Sequence, residues 1–84
     1  MSYSIRFDDK VIKDLKKIDR VWQKRILSKI NDILTVDPYS GKKLVGNLSP
    51  YYRLRVGDYR VIYDVIEEEV IVEVIKVSHR KKVY

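Results

Sequence analysis

Residues 51–60, YYRLRVGDYR, carry Arg53, Arg55 and Arg60 among leucine, valine and tyrosine, and residues 78–84 read SHRKKVY. Guanidinium forks bind phosphate oxygens two at a time and stabilise charge that grows on them. His79, Arg80, Lys81, Lys82 and Tyr84 add cations, an imidazole and a phenol. Phosphoryl transfer within RNA needs little more than this. The ribose 2′-hydroxyl attacks the adjacent phosphate once it is held in line, the extra phosphorane charge is stabilised, and one proton is accepted and another donated. His79 and Tyr84 are the nearby groups able to move protons, Tyr84 only with its pKa depressed by the surrounding cations. Tyr51 and its aromatic neighbours can stack on unpaired bases.

Other chemistries are poorly served. His79 is the lone histidine, and no carboxylate pair stands beside it at ligand spacing, so neither a metal centre nor a cofactor is expected. The chain has no cysteine, which excludes disulfides, zinc fingers and thiol catalysis. No nucleotide-binding loop or serine triad is present.

The arginines must be positioned by strands. Side chains in a strand alternate between faces, so Tyr51, Arg53 and Arg55 share one face and Tyr52, Leu54 and Val56 the other. Gly57-Asp58 reads as a two-residue hairpin loop, with glycine first as a type II′ turn requires. That turn pairs Val56 with Tyr59, Arg55 with Arg60 and Leu54 with Val61. Arg53, Arg55 and Arg60 then converge on one face, while Leu54, Val56, Tyr59, Val61 and Tyr63 form a core face. Like charges directly opposite each other in a sheet are destabilising, which suggests an anionic ligand. A solvated outer face, shielded by salt, Asp64 and the glutamates, is the plainer reading of the same pattern. The last strand should run beside residues 59–66 and bring residues 79–84 toward Arg60. Strict two-residue turns place His79, not Arg80, on the Arg60 face; a longer glutamate turn, or residues past the strand that do not keep parity, leave both open.

The rest of the chain supplies the frame. Tyr3, Ile5 and Phe7 alternate as a first strand, and Asp8 or Asp9 can cap a helix in which Val11, Ile12, Leu15 and Ile18 recur at helical spacing. Asp19 can cap a second helix with a Trp22, Ile26, Ile30 and Ile33 stripe, Leu27 and Leu34 beside it. Lys16, Lys17, Arg20, Lys24, Arg25 and Lys29 lie outward on this pair, as a solvated face or a secondary phosphate-contact surface. Residues 35–50 hold Pro38, Gly41, Gly46 and Pro50 and read as a loop with a short turn. Two hairpin strands, a Glu67-Glu68-Glu69 turn and a Val/Ile-rich last strand follow. The expected fold is α+β: an N-terminal strand, a two-helix hairpin, then a three-stranded antiparallel meander, with the helices on one face of the sheet.

Length, composition and charge agree. The chain has 84 residues, 45% of them hydrophobic, which suits one small domain spanning residues 1–84. A net charge of +6 favours an acidic partner, with nucleic acid the default. No apolar run approaches a membrane span and the first residues lack an apolar signal region, so a cytoplasmic protein without a membrane partner is expected.

KLVGNLSPYYRLRVGDYRVIYDV followed by VIKVSHRKKVY resembles the RelE/ParE toxin superfamily, and within it the RelE-type mRNA interferases. The resemblance covers nearly the whole chain, and the terminal HR-x-x-VY favours the RelE side. It implies the toxin of a type II toxin–antitoxin pair with a RelB-like cognate antitoxin. It also implies metal-independent cleavage of mRNA on the ribosome, in the A site. By the same resemblance Arg53 and Arg55 would contact the phosphate, Arg60 would stabilise the transition state, and Arg80 would stabilise the phosphate or protonate the leaving group. Tyr84 would stack on the base and act as general base. RelE members with lysines at the Arg53 and Arg55 positions differ, since arginine does not readily give up a proton; His79 gains weight for that reason. Two other readings follow from the superfamily: a ParE-type non-nucleolytic inhibitor of DNA gyrase, and a catalytically weak RNA-binding relative. An acidic antitoxin segment would suit the arginine groove, and an amphipathic helix could lie along the sheet edge or the helices.

Overall fold

The computed structural model describes residues 2–48 and 50–81. Its elements are β1 (Ser4–Phe7), α1 (Asp9–Lys16), α2 (Arg20–Lys29), β2 (Lys42–Lys43), β3 (Tyr52–Val56), β4 (Tyr59–Ile66) and β5 (Ile71–His79). The expected α+β order is present, and the strands form one sheet in the order β1-β5-β4-β3-β2. Strands β3, β4 and β5 are the antiparallel meander, whereas β1 adds to β5 in parallel.

Asp8 starts α1, its carboxylate accepting the Lys10 N–H at 3.0 Å, a bond that satisfies one of the free donors of the first turn. Asp19 stands at the N-cap of α2 but makes no side-chain capping bond. A π-helical turn, Ile30–Leu34, ends α2. It corrects the expected stripe: Ile26, Ile30 and Leu34 are buried at successive spacings of four, and Ile33 is only partly covered. A widened turn takes more residues per revolution, so the inward position slips by one. Ile12 and Leu27, read from spacing as core neighbours, are 47% and 38% exposed. Each adjoins a fully buried residue (Val11, Ile26) in sequence, and adjacent helix positions diverge by about 100°.

The helices pack on the predicted apolar face. Val11, Ile26, Ile30 and Leu34 meet Leu54, Val56, Val61, Tyr63, Val72, Val74 and Val77 in one core cluster. Residues 35–50, expected as loop, contain β2 and a 3-10 turn, Gly46–Leu48. The two lysines of β2 are too short a run to show alternation, and a short, charged edge strand is how sheets blunt an open edge. Tertiary contacts fix this segment: the Gly41 N–H donates to the Tyr63 hydroxyl at 3.1 Å and the Leu44 N–H to the Tyr51 carbonyl at 2.9 Å.

The turn between β4 and β5 is a 3-10 turn, Glu67–Glu69, closed by Val70 in the left-handed region at φ 55°. Register then shifts inside β5. Tyr63 faces Val74 but Ile62 faces Lys76, so Ile75 is an extra residue, a β-bulge. The bulge reverses the alternation beyond it: Val72 and Val74 are buried, and the next buried position is Val77.

Candidate nucleic-acid interface

The hairpin forms as its residues require. Arg55 pairs with Arg60, Val56 with Tyr59 and Leu54 with Val61. Gly57 has φ +59° and Asp58 does not have positive φ, the signature of a type II′ turn. Gly57 is fixed for a second reason: a Cβ there would lie 2.4 Å from the indole Cη2 of Trp22. Helix α2 thus presses against the hairpin tip from below. Trp22 is also 5.0 Å beneath the guanidinium of Arg25, and its ring centroid is 5.7 Å from that of Tyr59.

Arg53, Arg55 and Arg60 share the face turned away from the helices, as alternation demands. The sheet places a further cation with them, because Lys42 on β2 is directly opposite Arg53. Two like-charge pairs, Lys42 with Arg53 and Arg55 with Arg60, therefore lie directly across neighbouring strands. Each pair costs stability. The Nε of Arg53 is buried without a hydrogen-bond partner among the described residues, an unfavourable state for a cationic donor. Ile62 lies on this face between Arg53 and Lys76 and is only 8% exposed. Long cationic side chains cover such apolar surface with their methylenes while their charged ends reach water.

The β-bulge decides which terminal residue joins them. Past Ile75, Ser78 stands opposite Arg60, and His79 stands opposite Tyr59 on the helix side. His79 packs edge-on against Tyr59, with ring centroids 5.1 Å apart, and its Nδ1 accepts the Lys81 N–H at 3.1 Å. It borders a cleft of about 290 Å³ that also takes in Asp14, Lys17, Ile18 and Tyr59. The face assigned to His79 by strict alternation is therefore corrected by one inserted residue. Arg80 goes to the arginine side. Its N–H donates to the Asp58 carbonyl at 2.8 Å, and its Nε pairs with Asp58 Oδ1 at 3.5 Å. Arg55, Gly57, Asp58, Tyr59, Arg60 and Arg80 line a cleft of about 70 Å³. The larger cleft beside His79 holds none of these arginines.

Tyr51 precedes β3, half-buried, and holds the β2 segment through its carbonyl. Lys81 is exposed beside the site. Lys82 and Tyr84, expected at the site, lie outside the described residues. The far end of the same face is acidic: Asp64 is opposite Glu73, which pairs with Arg6 at 3.3 Å, and the Glu67–Glu69 turn follows. Potential thus rises along β4 toward Arg60, a gradient that draws an anion to the hairpin tip.

Two tyrosines with shifted titration support the sheet from the other end. Burial raises the pKa of Tyr63, opposed by the Gly41 N–H donated to its oxygen. The Tyr39 hydroxyl donates to the Glu67 carboxylate, and that bond holds its pKa far above the usual tyrosine value. Tyr39, Tyr52 and Tyr63 form a ring series with successive centroids 5.6 Å apart. Lys42 and Asp58 were not read from sequence as site residues. Lys42 gave no signal without the edge pairing, whereas Asp58 was visible as the acidic member of a turn between arginines.

The fold and site together define a small α+β protein with arginines gathered on one sheet face. Comparison with known proteins narrows it. A family model for the ParE toxin of the type II toxin–antitoxin system parDE matches residues 5–84. The mRNA interferase toxin RelE of Escherichia coli K12 is 31% identical over 83 residues, covering 98% of this chain and 87% of the relative. The toxin–antitoxin complex RelBE2 of Mycobacterium tuberculosis contains a chain superposing with a TM-score of 0.90 at 27% identity, over 95% of this chain and 100% of that one. The archaeal RelE–RelB complex of Pyrococcus horikoshii OT3 gives a TM-score of 0.80 at 30% identity, over 99% and 100% of the two chains. The chain belongs to the RelE/ParE family of type II toxin–antitoxin toxins.

Proposed function

We propose that this protein is a ribosome-dependent endoribonuclease that cleaves mRNA in the A site by attack of a 2′-hydroxyl on the adjacent phosphate. The observation that carries the reading is the convergence of Arg53, Arg55, Arg60 and Arg80 on one uncovered sheet face. The name of the Escherichia coli relative, an mRNA interferase, supports it. Arg53 and Arg55 hold the phosphate. Arg60, on the central strand, stabilises the charge of the phosphorane, and Arg80 does the same from the far side of the small cleft. Lys81 and Lys82 bind the flanking backbone, and Tyr51 offers a ring to a base. Tyr84 stacks on a base and accepts the 2′-hydroxyl proton. His79 is turned toward Tyr59 and away from these arginines, so the leaving 5′-oxygen takes its proton from solvent.

A cognate RelB-like antitoxin is the second half of the proposal. Solved relatives occur in RelE–RelB complexes, and an acidic segment complements the arginine face. The test is incubation of purified protein with programmed ribosomes, beside a gyrase supercoiling assay. New mRNA 3′ ends at the A-site codon, with supercoiling untouched, support the proposal. Full gyrase inhibition without cleavage overturns it in favour of the ParE-type activity.

A further inference from the structure

Among the described residues lining the cleft with the guanidiniums of Arg55, Arg60 and Arg80, Asp58 is the one carboxylate. A carboxylate weakens phosphate binding there, so its presence calls for a reason. Stability does not supply one. Both members of the Asp58–Arg80 pair are more than half exposed, at 58% and 59%, and exposed ion pairs contribute little. Geometry supplies a reason instead. Arg80 is the first residue past β5, where sheet pairing no longer fixes its direction. Asp58 grips it twice, through a carbonyl that accepts the Arg80 N–H at 2.8 Å and a carboxylate 3.5 Å from Nε. The grip is itself anchored, because Gly57 sits against the Trp22 ring so closely that no side chain fits. Helix α2, the type II′ turn, Asp58 and Arg80 thus form one continuous support.

We propose that Asp58 is a positioning residue that aims Arg80 into the phosphate cleft, accepting weaker ground-state binding in return for a preorganised guanidinium. This rests on the endoribonuclease reading above. Pairing at Nε engages one of the five guanidinium donors, and the fork of terminal nitrogens is what meets a phosphate oxygen. A preorganised donor acts on the transition state without reorganising during the reaction, whereas a mobile cation binds substrate and transition state alike.

Asp58→Asn keeps the size of the side chain, the backbone carbonyl and one acceptor oxygen, and removes the charge. Two quantities are measured: single-turnover cleavage on programmed ribosomes, and affinity for ribosomes carrying an uncleavable 2′-O-methyl A-site codon. Cleavage in the bound complex is expected to slow by roughly fivefold, the upper range of an exposed ion pair. Affinity is expected to stay equal or tighten. In an Arg80→Ala background the Asp58→Asn substitution is expected to change nothing further, because its effect passes through Arg80. Asp58→Glu is expected to restore part of the rate. Three results overturn the proposal while leaving the endoribonuclease reading intact: an unchanged rate, a loss of rate and affinity together, or a slowing that adds to that of Arg80→Ala. A wild-type protein that does not cut overturns both.

Discussion

Arg55 and Arg60 lie directly opposite each other across β3 and β4, and Arg55 is exposed, so an Arg55→Thr substitution removes a like-charge pair and leaves a residue suited to a strand. Two unit charges about 6 Å apart repel by roughly 0.7 kcal/mol in a water-like dielectric. Screening over a Debye length of about 10 Å reduces this to roughly 0.4 kcal/mol in 0.1 M salt. The variant should therefore be more stable than the wild type by that amount, a rise in Tm of about 2–3 °C for a domain of this size. Under the proposed function it should also cleave more slowly, because Arg55 is assigned there to hold the phosphate. Thermal unfolding followed by circular dichroism, in low and high sodium chloride, tests the origin of the gain. The wild type should gain stability with salt more steeply than the variant, and the gap should close near 1 M, where the Debye length falls to about 3 Å. A variant less stable than the wild type, or a gap independent of salt, would refute the claim that the arginine face is held together against its own repulsion.

Further outcomes follow from the same structure. Arg60→Ala should cut cleavage by about 10²–10³-fold, the usual loss of one preorganised charge-stabilising donor, with the circular dichroism spectrum unchanged. Gly57→Ala should cost about 2–4 kcal/mol in urea unfolding, combining a left-handed φ with displacement of the Trp22 ring; a second substitution, Trp22→Leu, should recover part of that loss. Tyr63 has its pKa raised from 10.0 by burial, so its contribution to stability is full below pH 10 and is lost as pH rises through the higher folded value. Tyr63→Phe should flatten that alkaline decline in chemical-unfolding midpoints. At neutral pH it should cost about 1–2 kcal/mol, for the Gly41 N–H left without its acceptor.

Much of this was legible because strands and tight turns obey strict parity. The spacing of Arg53, Arg55 and Arg60 around Gly57-Asp58 fixed their common face, and the structure has the same pairs and the same turn. The direction of the chain end was not legible. It depends on whether one residue, Ile75, is inserted into the β4–β5 ladder, and Val72, Val74, Ile75 and Val77 are all apolar, so hydrophobicity alone does not reveal which one bulges. The π-helical turn that exchanges Ile33 for Leu34 hides in the same way among apolar residues. β2 was missed because two lysines carry no periodicity, and Lys42 meets Arg53 only through contacts that a distant strand creates. Parity is local and survives in the sequence, while insertions and edge pairings are settled by tertiary packing.

The central claim is that an arginine face accelerates attack by a ribose hydroxyl, without a metal. Single-turnover cleavage on ribosomes programmed with mRNA carrying either ribose or 2′-deoxyribose at the scissile nucleotide tests it most directly. The reaction is run at the magnesium concentration that keeps the ribosomes intact, with a chelator selective for transition metals added. The account predicts cutting of the ribose mRNA at an undiminished rate, a product ending in a cyclic phosphate or its hydrolysed form, and no cutting of the deoxy mRNA. Cleavage of the deoxy mRNA at a comparable rate would contradict it, because the nucleophile would then have to come from elsewhere than the substrate.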